Sequence, residues 1–283
     1  MRFSFLLFLL LVSLAMSSQY YYDDILGSAE TRQLMQNFLA NKVKMVTATG
    51  YDGKGVKATD FAEVSEIREN GQLLRQSSIS GLKKTVTLTR FDNEGRVISI
   101  TDSAAEIQGI TTYTYDAAGR ISRVENKVLD SANSFNHTET HWWYYNDSGK
   151  PEKMWRVIGN TGGDNSPDSL EIRFVPDEKG LIAEERTFRR GVETGYLYYY
   201  YDDQGRLLDI VRFNTRLKKL LPDIMFEYDE NGRVAQKTTT TSSLHLGYLI
   251  WRYIYNDKGL KTKEVLFNSD KQITGKIEFS YTF

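Results

Sequence analysis

From residue 51 onward, apolar residues recur at alternate positions in short runs, and each run is broken by a polar stretch that contains glycine. That alternation predicts half-buried β-strands joined by tight turns. Aromatic residues close many of the runs in pairs two apart: Tyr113 with Tyr115, Trp143 with Tyr145, Tyr199 with Tyr201, Phe226 with Tyr228, and Tyr253 with Tyr255. Residues i and i+2 of a strand share a face, so each pair belongs to one recurring buried ladder. In "GYLYYYYDDQG", at 195–205, Tyr199 and Tyr201 belong to that ladder, and Tyr198 and Tyr200 fall on the opposite face. Trp142 and Tyr144 take the same off-ladder positions in "HWWYYNDSG". These four rings either lie under a second covering layer or face a ligand, which makes them the candidate binding residues. Ahead of the strands, "SAETRQLMQNFLANK" from Ser28 carries a helical period instead. It predicts one amphipathic helix with Ser28 as N-cap and with Leu34, Phe38 and Leu39 on one face, covering an open end or face of the sheet.

The polar interruptions repeat. "YDGKG" at 51, "FDNEG" at 91, "YDAAG" at 115, "YNDSG" at 145, "YDDQG" at 201, "YDENG" at 228 and "YNDKG" at 255 share one form, with degenerate copies "IRENG" at 67 and "PDEKG" at 176. Their glycines are Gly55, Gly71, Gly95, Gly119, Gly149, Gly180, Gly205, Gly232 and Gly259, and from Gly71 on they are spaced 24, 24, 30, 31, 25, 27 and 27 residues apart. A period of this size signals a repeat architecture. In each copy Asp92, Asp116, Asn146, Asp202, Asp229 or Asn256 can accept a hydrogen bond from the backbone two residues on and start a turn. The glycine takes the left-handed conformation that a three-residue hairpin loop needs. An aliphatic residue usually follows one place after a basic one, as at Val97, Ile121, Leu207 and Val234, whereas Pro151 and Lys261 depart from this.

The form Y-[DN]-x-x-G-[RK]-aliphatic, as it stands at Tyr115, Tyr201 and Tyr228, resembles the YD repeat of Rhs-type and teneurin-type proteins. The likeness runs from about Tyr51 to the C-terminus. It implies strands rolled into a curved β-shell, and it implies an architecture without an activity. Nine copies are too few to enclose a cargo domain, and the chain looks like small exported bacterial proteins that carry a handful of such repeats. The expected fold is all-β: an antiparallel meander of repeated hairpins in a strongly curved or closed sheet, barrel- or shell-like, with one N-terminal helix.

Three segments follow from this. Residues 1–17 read as a signal peptide, with Arg2, an apolar run from Phe5 to Leu14, and Ala15 and Ser17 in small-x-small spacing. Residues 18–45 hold the helix, and 46–283 form the repeat domain. The expectation is therefore an exported protein, soluble in the periplasm or outside the cell, with no helical membrane span once the signal is removed.

Charge and composition narrow the function. The 36 basic and 37 acidic residues balance to −1, which gives nucleic acid no electrostatic hold. With no cysteine there is no thiol nucleophile or thiolate metal site. Among the histidines His137, His141 and His245, "HTETH" sets His137, Glu139 and His141 on one strand face. Four residues of strand separate the two imidazoles by ~13 Å, too far for one metal ion, so these read as ordinary surface histidines and no metal or cofactor is expected. No G-x-S-x-G elbow or phosphate-binding glycine loop is present. The function expected is a non-catalytic binding or scaffolding protein of the bacterial cell envelope, with an envelope protein or a glycan as partner. Two alternatives stay open. Carboxylates on a concave face would suit a glycan-acting hydrolase. The alternating C-terminal "GKIEFSYTF" would suit an outer-membrane β-barrel, although "RISRVENKV" and "LIAEERTFRR" put charges on both faces.

Overall fold

The computed structural model describes residues 20–130, 136–160, 168–214, 217–240 and 247–283, without the side chains of Asn136 and Asn160. Residues 1–17, expected to be a signal peptide, His245 and the centres of the loops near 130, 160 and 240 lie outside the described residues. Helix α1 (Asp23–Ala40) is followed by β1 (Met45–Asp52), β2 (Phe61–Arg68), β3 (Leu73–Ser80), β4 (Lys83–Phe91), β5 (Val97–Ala104) and β6 (Ile107–Tyr115). Next come β7 (Ile121–Asp130), β8 (Asn136–Tyr145), β9 (Pro151–Asn160), β10 (Asp168–Pro176), β11 (Ile182–Arg189) and β12 (Val192–Tyr201). The chain closes with β13 (Leu207–Asn214), β14 (Lys219–Tyr228), β15 (Val234–Thr240), β16 (Tyr248–Tyr255), β17 (Lys261–Phe267) and β18 (Ile273–Thr282).

Every strand pairs antiparallel with its sequence neighbours, and β18 pairs with β1 from Met45↔Thr282 to Asp52↔Gly275. The meander therefore closes into an 18-stranded barrel and leaves no edge strand. Closure makes the two strand faces different. The ladder face, which carries Val46, Leu74, Phe91, Val124, Trp143, Ile172, Tyr199 and Ile210, points inward and is buried.

The repeated turns explain their own consensus. Asp116 Oδ1 accepts from the N–H groups of Ala118 and Arg120, while Gly119 N–H donates to the Asp116 carbonyl. The same bonds recur at Asp92, Asp202, Asp229 and Asn256, and at Asn146 with Lys150 N–H as donor. All nine glycines have φ between 71° and 91°. Two further roles link one repeat to the next. Arg96, Arg120, Arg206 and Arg233 each pair with the turn aspartate, and each guanidinium lies 4.5–4.7 Å from the ring centre of the next repeat's tyrosine. That tyrosine donates its hydroxyl back to the previous repeat: Tyr115 to Val97 O, Tyr145 to Ile121 O, Tyr228 to Leu207 O and Tyr255 to Val234 O.

Two of the nine turns depart from this pattern. The Gly71 turn is a short 3-10 segment with Glu69 and Asn70 left-handed and a Gln72 N–H to Glu69 O bond. Gly71 itself is needed for a close approach, since a Cβ there would sit 2.8 Å from Leu39. The Gly55 turn makes the standard bonds, but it joins β1 to β2 and so lies on the opposite rim from the other eight.

Helix α1 crosses the barrel at the rim that carries those eight turns. Arg32 donates to Glu94 O, Asn37 to Gly259 O and Asn41 to Lys258 O, all three acceptors being turn carbonyls. It begins at Asp23 and not at Ser28, whose hydroxyl bonds Ile25 O within the first turn. The Asp23, Asp24 and Ile25 N–H groups bond the Tyr20, Tyr21 and Tyr22 carbonyls, and Glu185 of the wall accepts the Tyr21 and Tyr22 N–H groups just ahead of the helix. Its buried residues are Met35 and Phe38, whereas Leu34 and Leu39 are exposed, because the helix is gripped by the barrel walls rather than laid on a flat sheet.

Candidate binding surface

The off-ladder aromatics face outward. Trp142, Tyr144 and Tyr200 are 44–45% exposed, and Tyr198 is half-buried. Trp142 lies opposite Trp155 of β9 and beneath the Arg123 guanidinium, 5.0 Å from the ring centre. Tyr144 faces Lys153, whose ammonium lies 5.3 Å from the ring. Four strands away, Tyr198 pairs with Val211 and Tyr200 with Asp209, and Tyr196 meets Phe213 edge-on at 6.2 Å. The structure thus makes two ridges from the four predicted residues, ~19 Å apart at four strand spacings. A band of ion pairs fills the interval: Glu171 with Arg173 at 2.9 Å and Glu184 with Arg186 at 2.5 Å. Phe188 lies under Arg173, 4.3 Å from its ring centre. Beside the second ridge a shallow cavity of about 300 Å³ is lined by Asp177, Lys179, Leu181, Glu184, Tyr198 and Tyr200. Trp155, Phe188 and Tyr196 were missed by sequence reasoning. Each stands on an outward face, but none sits beside an aromatic repeat turn that would have marked it.

The "HTETH" segment faces inward, which corrects the expectation of surface histidines. His141 is 1% exposed and bonds Asp24 of α1 through Nδ1 at 2.6 Å and Glu139 through Nε2 at 2.8 Å. Trp143 Nε1 donates to the same Asp24 oxygen, and Arg156 donates to Glu139. Burial pulls the imidazole down, but Asp24 and then Glu139 outweigh it and hold His141 up at about 9. Burial raises Glu139, yet bonds from His141 and Arg156 prevail and bring it down to about 2. Glu185 is pushed up to about 7 by burial, against the donors Tyr199, Tyr21 and Tyr22. These groups anchor the start of α1 to the wall. Among the described residues no three metal-ligating side chains converge.

No curated protein matches the sequence. Among solved structures, 85% of this chain aligns with 98% of a porin-like protein from Bacteroides uniformis at 8% identity and a TM-score of 0.43. The TcdB2-TccC3-Cdc42 complex and the Photorhabdus luminescens Tc holotoxin pore are each 12% identical, with 86% of this chain aligned to 17% of theirs at a TM-score of 0.31. At these scores the likeness carries no argument about this chain. Residues 91–126 run from the Phe91 turn through the Tyr115 turn into β7, and they match the family model of the RHS repeat.

Proposed function

We propose that the protein is an exported, non-catalytic binding module of the cell envelope whose outer aromatic wall takes a glycan. The observation that carries this reading is the pair of exposed ridges, Trp142 with Tyr144 and Tyr198 with Tyr200, set on a rigid closed wall. Flat rings offer apolar faces to sugar rings, and the intervening Glu171, Arg173, Glu184 and Arg186 offer hydrogen bonds to hydroxyls. Hydrolysis is supported less well at this surface. Arg173 holds the Glu171 carboxyl below its ordinary range, which suits a fixed acceptor and not a proton donor. A barrel embedded in lipid is disfavoured by the outer wall itself. Glu66 with Arg75, Arg123 with Glu125, Glu171 with Arg173 and Lys276 with Glu278 all face outward. An outward arginine or lysine costs roughly 2–4 kcal/mol at the bilayer midplane.

The test is tryptophan fluorescence of the chain lacking residues 1–17, titrated with soluble cell-wall and storage oligosaccharides. Saturable quenching by one of them is expected, and Trp142→Ala should weaken it about tenfold or more, as loss of a central aromatic contact does. Binding that ignores both Trp142→Ala and Tyr200→Ala would place the ligand elsewhere.

A further inference from the structure

The two rims of the barrel differ in chemistry. At the rim of the repeat turns the tips carry the exposed acids Glu94, Asp147, Glu178, Asp203, Glu230 and Asp257, with Lys179 and Lys258 as the basic tip residues. At the opposite rim six hairpin connections carry exposed aliphatic residues instead. They are Val56 between β1 and β2, Leu82 between β3 and β4, Ile107 opening β6, Val192 opening β12, Leu217 before β14 and Ile273 opening β18. Leu82 is fully exposed, and Val56 and Val192 are 62% and 66% exposed. Nine of the sixteen large apolar side chains exposed among the described residues stand at this one rim, so they are segregated and not scattered.

Cations accompany the aliphatic tips. Lys57, Lys84, Arg190, Lys218 and Lys271 are exposed beside them and make no ion pair among the described residues. The acids in these connections are fewer: Asp60, Glu106 and Asp270. The arginines of the repeat turns, by contrast, are each tied to a turn aspartate. Arg190, Lys218 and Lys271 also hold left-handed backbone, with φ of 51°, 51° and 58°, where glycine or asparagine would sit with less strain. Tight turns favour Gly, Asn, Asp and Ser, the residues that the other rim uses. The turns themselves gain nothing from an aliphatic tip or a strained cation, so what these side chains gain lies outside the chain.

We propose that this rim docks on the surface of an anionic phospholipid bilayer, where its aliphatic tips enter the acyl boundary and the cations beside them meet lipid phosphates. Unpaired lysines and arginines complement the negative charge of such a surface, and apolar side chains beside them complete an interfacial anchor. Successive connections on this rim stand two strand spacings apart, ~10 Å, so one groove would not take them all, whereas a fluid bilayer takes separate tips at once. A second copy offers its acidic repeat-turn rim to the cations, but the tips there are polar and leave the aliphatic ring uncovered. Docked in this way, the barrel stands end-on, with α1 and the repeat turns facing away from the membrane. The ridges of Trp142 with Tyr144 and of Tyr198 with Tyr200 adjoin the repeat-turn rim and stay free, so the docking is independent of the outer aromatic wall. Only the tips enter lipid, which spares the ion pairs of the outer wall.

The experiment is cosedimentation with vesicles of the chain from residue 18 on, so that the apolar run from Phe5 to Leu14 contributes no binding of its own. Vesicles of equal parts phosphatidylglycerol and phosphatidylcholine are the probe, and vesicles of phosphatidylcholine alone are the comparator. Binding to the anionic vesicles is expected to be about tenfold or more tighter, and to weaken as salt rises from about 0.1 M to about 0.5 M. Leu82→Ser combined with Leu217→Ser, and Arg190→Glu combined with Lys218→Glu, should each weaken it about tenfold or more. Ile254→Ser, an exposed aliphatic residue of the outer wall beside the repeat-turn rim, should leave it unchanged. Far-UV circular dichroism checks that each variant folds, and either pair of substitutions carries the test if the other does not fold. No vesicle binding, equal binding to neutral vesicles, or binding that the folded tip variants leave unchanged would each overturn the proposal. Self-association in size-exclusion chromatography that the tip variants abolish, without vesicle binding, would assign the rim to a second copy and overturn it too.

Discussion

At the residue scale, each letter of the repeat has a bond to make. The aspartate closes the turn, the arginine pairs with it, and the arginine also covers the next tyrosine, whose hydroxyl reaches back one repeat. The glycine is conformational. Gly205 has φ of 77°, where a side chain costs about 1–2 kcal/mol. Gly109 lies inside a strand, its φ is not positive, and a Cβ there would meet nothing within 4 Å. Gly205→Ala should therefore lower stability by about 1–2 kcal/mol in chemical denaturation, whereas Gly109→Ala should stay within about 0.5 kcal/mol. Equal effects would mean that the turns are not held by left-handed glycines. Lys261, which breaks the aliphatic rule, shows the same economy by stacking 4.5 Å from the Tyr253 ring centre while pairing with Glu264.

At the element scale the main question is what keeps α1 across the rim. Its start is held by charge and hydrogen bonds: His141 between Asp24 and Glu139, and Glu185 on the Tyr21 and Tyr22 N–H groups just ahead of it. The folded pKa of His141, about 9, lies above the ordinary 6.5, so its contribution is complete below 6.5 and disappears as pH rises through 9. Glu139 lies below its ordinary 4.5, so its contribution is present above 4.5 and lost as pH falls toward 2. Glu185 lies above its ordinary 4.5, so folding favours its protonated form and stability drops as pH climbs from 4.5 through 7. Denaturation across pH should therefore show a maximum near 4.5, a decline from there through 7 that Glu185 sets, and a further decline toward 9 that His141 sets. His141→Ala should cost about 3–5 kcal/mol at pH 6, because it takes the cation from Asp24 and leaves Glu139 with Arg156 alone. It should also flatten the decline between 6.5 and 9. A profile unchanged by that substitution would mean that the network does not hold the helix.

For the whole molecule, closure is the decisive feature. Lys44 N–H donates to Thr282 O at 2.7 Å, and β1 and β18 pair along their full length, so the last strand completes the wall that the first one starts. Removing residues 273–283 would expose the edges of β1 and β17, and exposed edges recruit other chains. The shortened protein is expected to elute as oligomers or aggregate in size-exclusion chromatography. A monomer with unchanged melting temperature would contradict a closed wall. The outer ion pairs belong to the same scale, since they face outward only because the ladder face has been folded in.

Much of this was legible beforehand, for local reasons. Period-two aromatics and D-x-x-G turns depend on interactions within a few residues, so the strands, the turns at Asp92 to Asn256 and the off-ladder placement of Trp142, Tyr144 and Tyr200 could be read from the chain alone. Long-range contacts left no such trace. Nothing local to Ser28 reveals that Glu185, over 150 residues away, holds the residues from which the helix starts earlier, and "HTETH" carries no mark of the helix that buries it. Pattern and turn chemistry decided that this chain becomes a meander of hairpins, because hydrogen bonds and side-chain alternation act between neighbours. Only the tertiary structure decided that the meander closes on itself, which face turns inward and which acids end up beyond the reach of water, because those depend on residues from opposite ends of the chain sharing one interior.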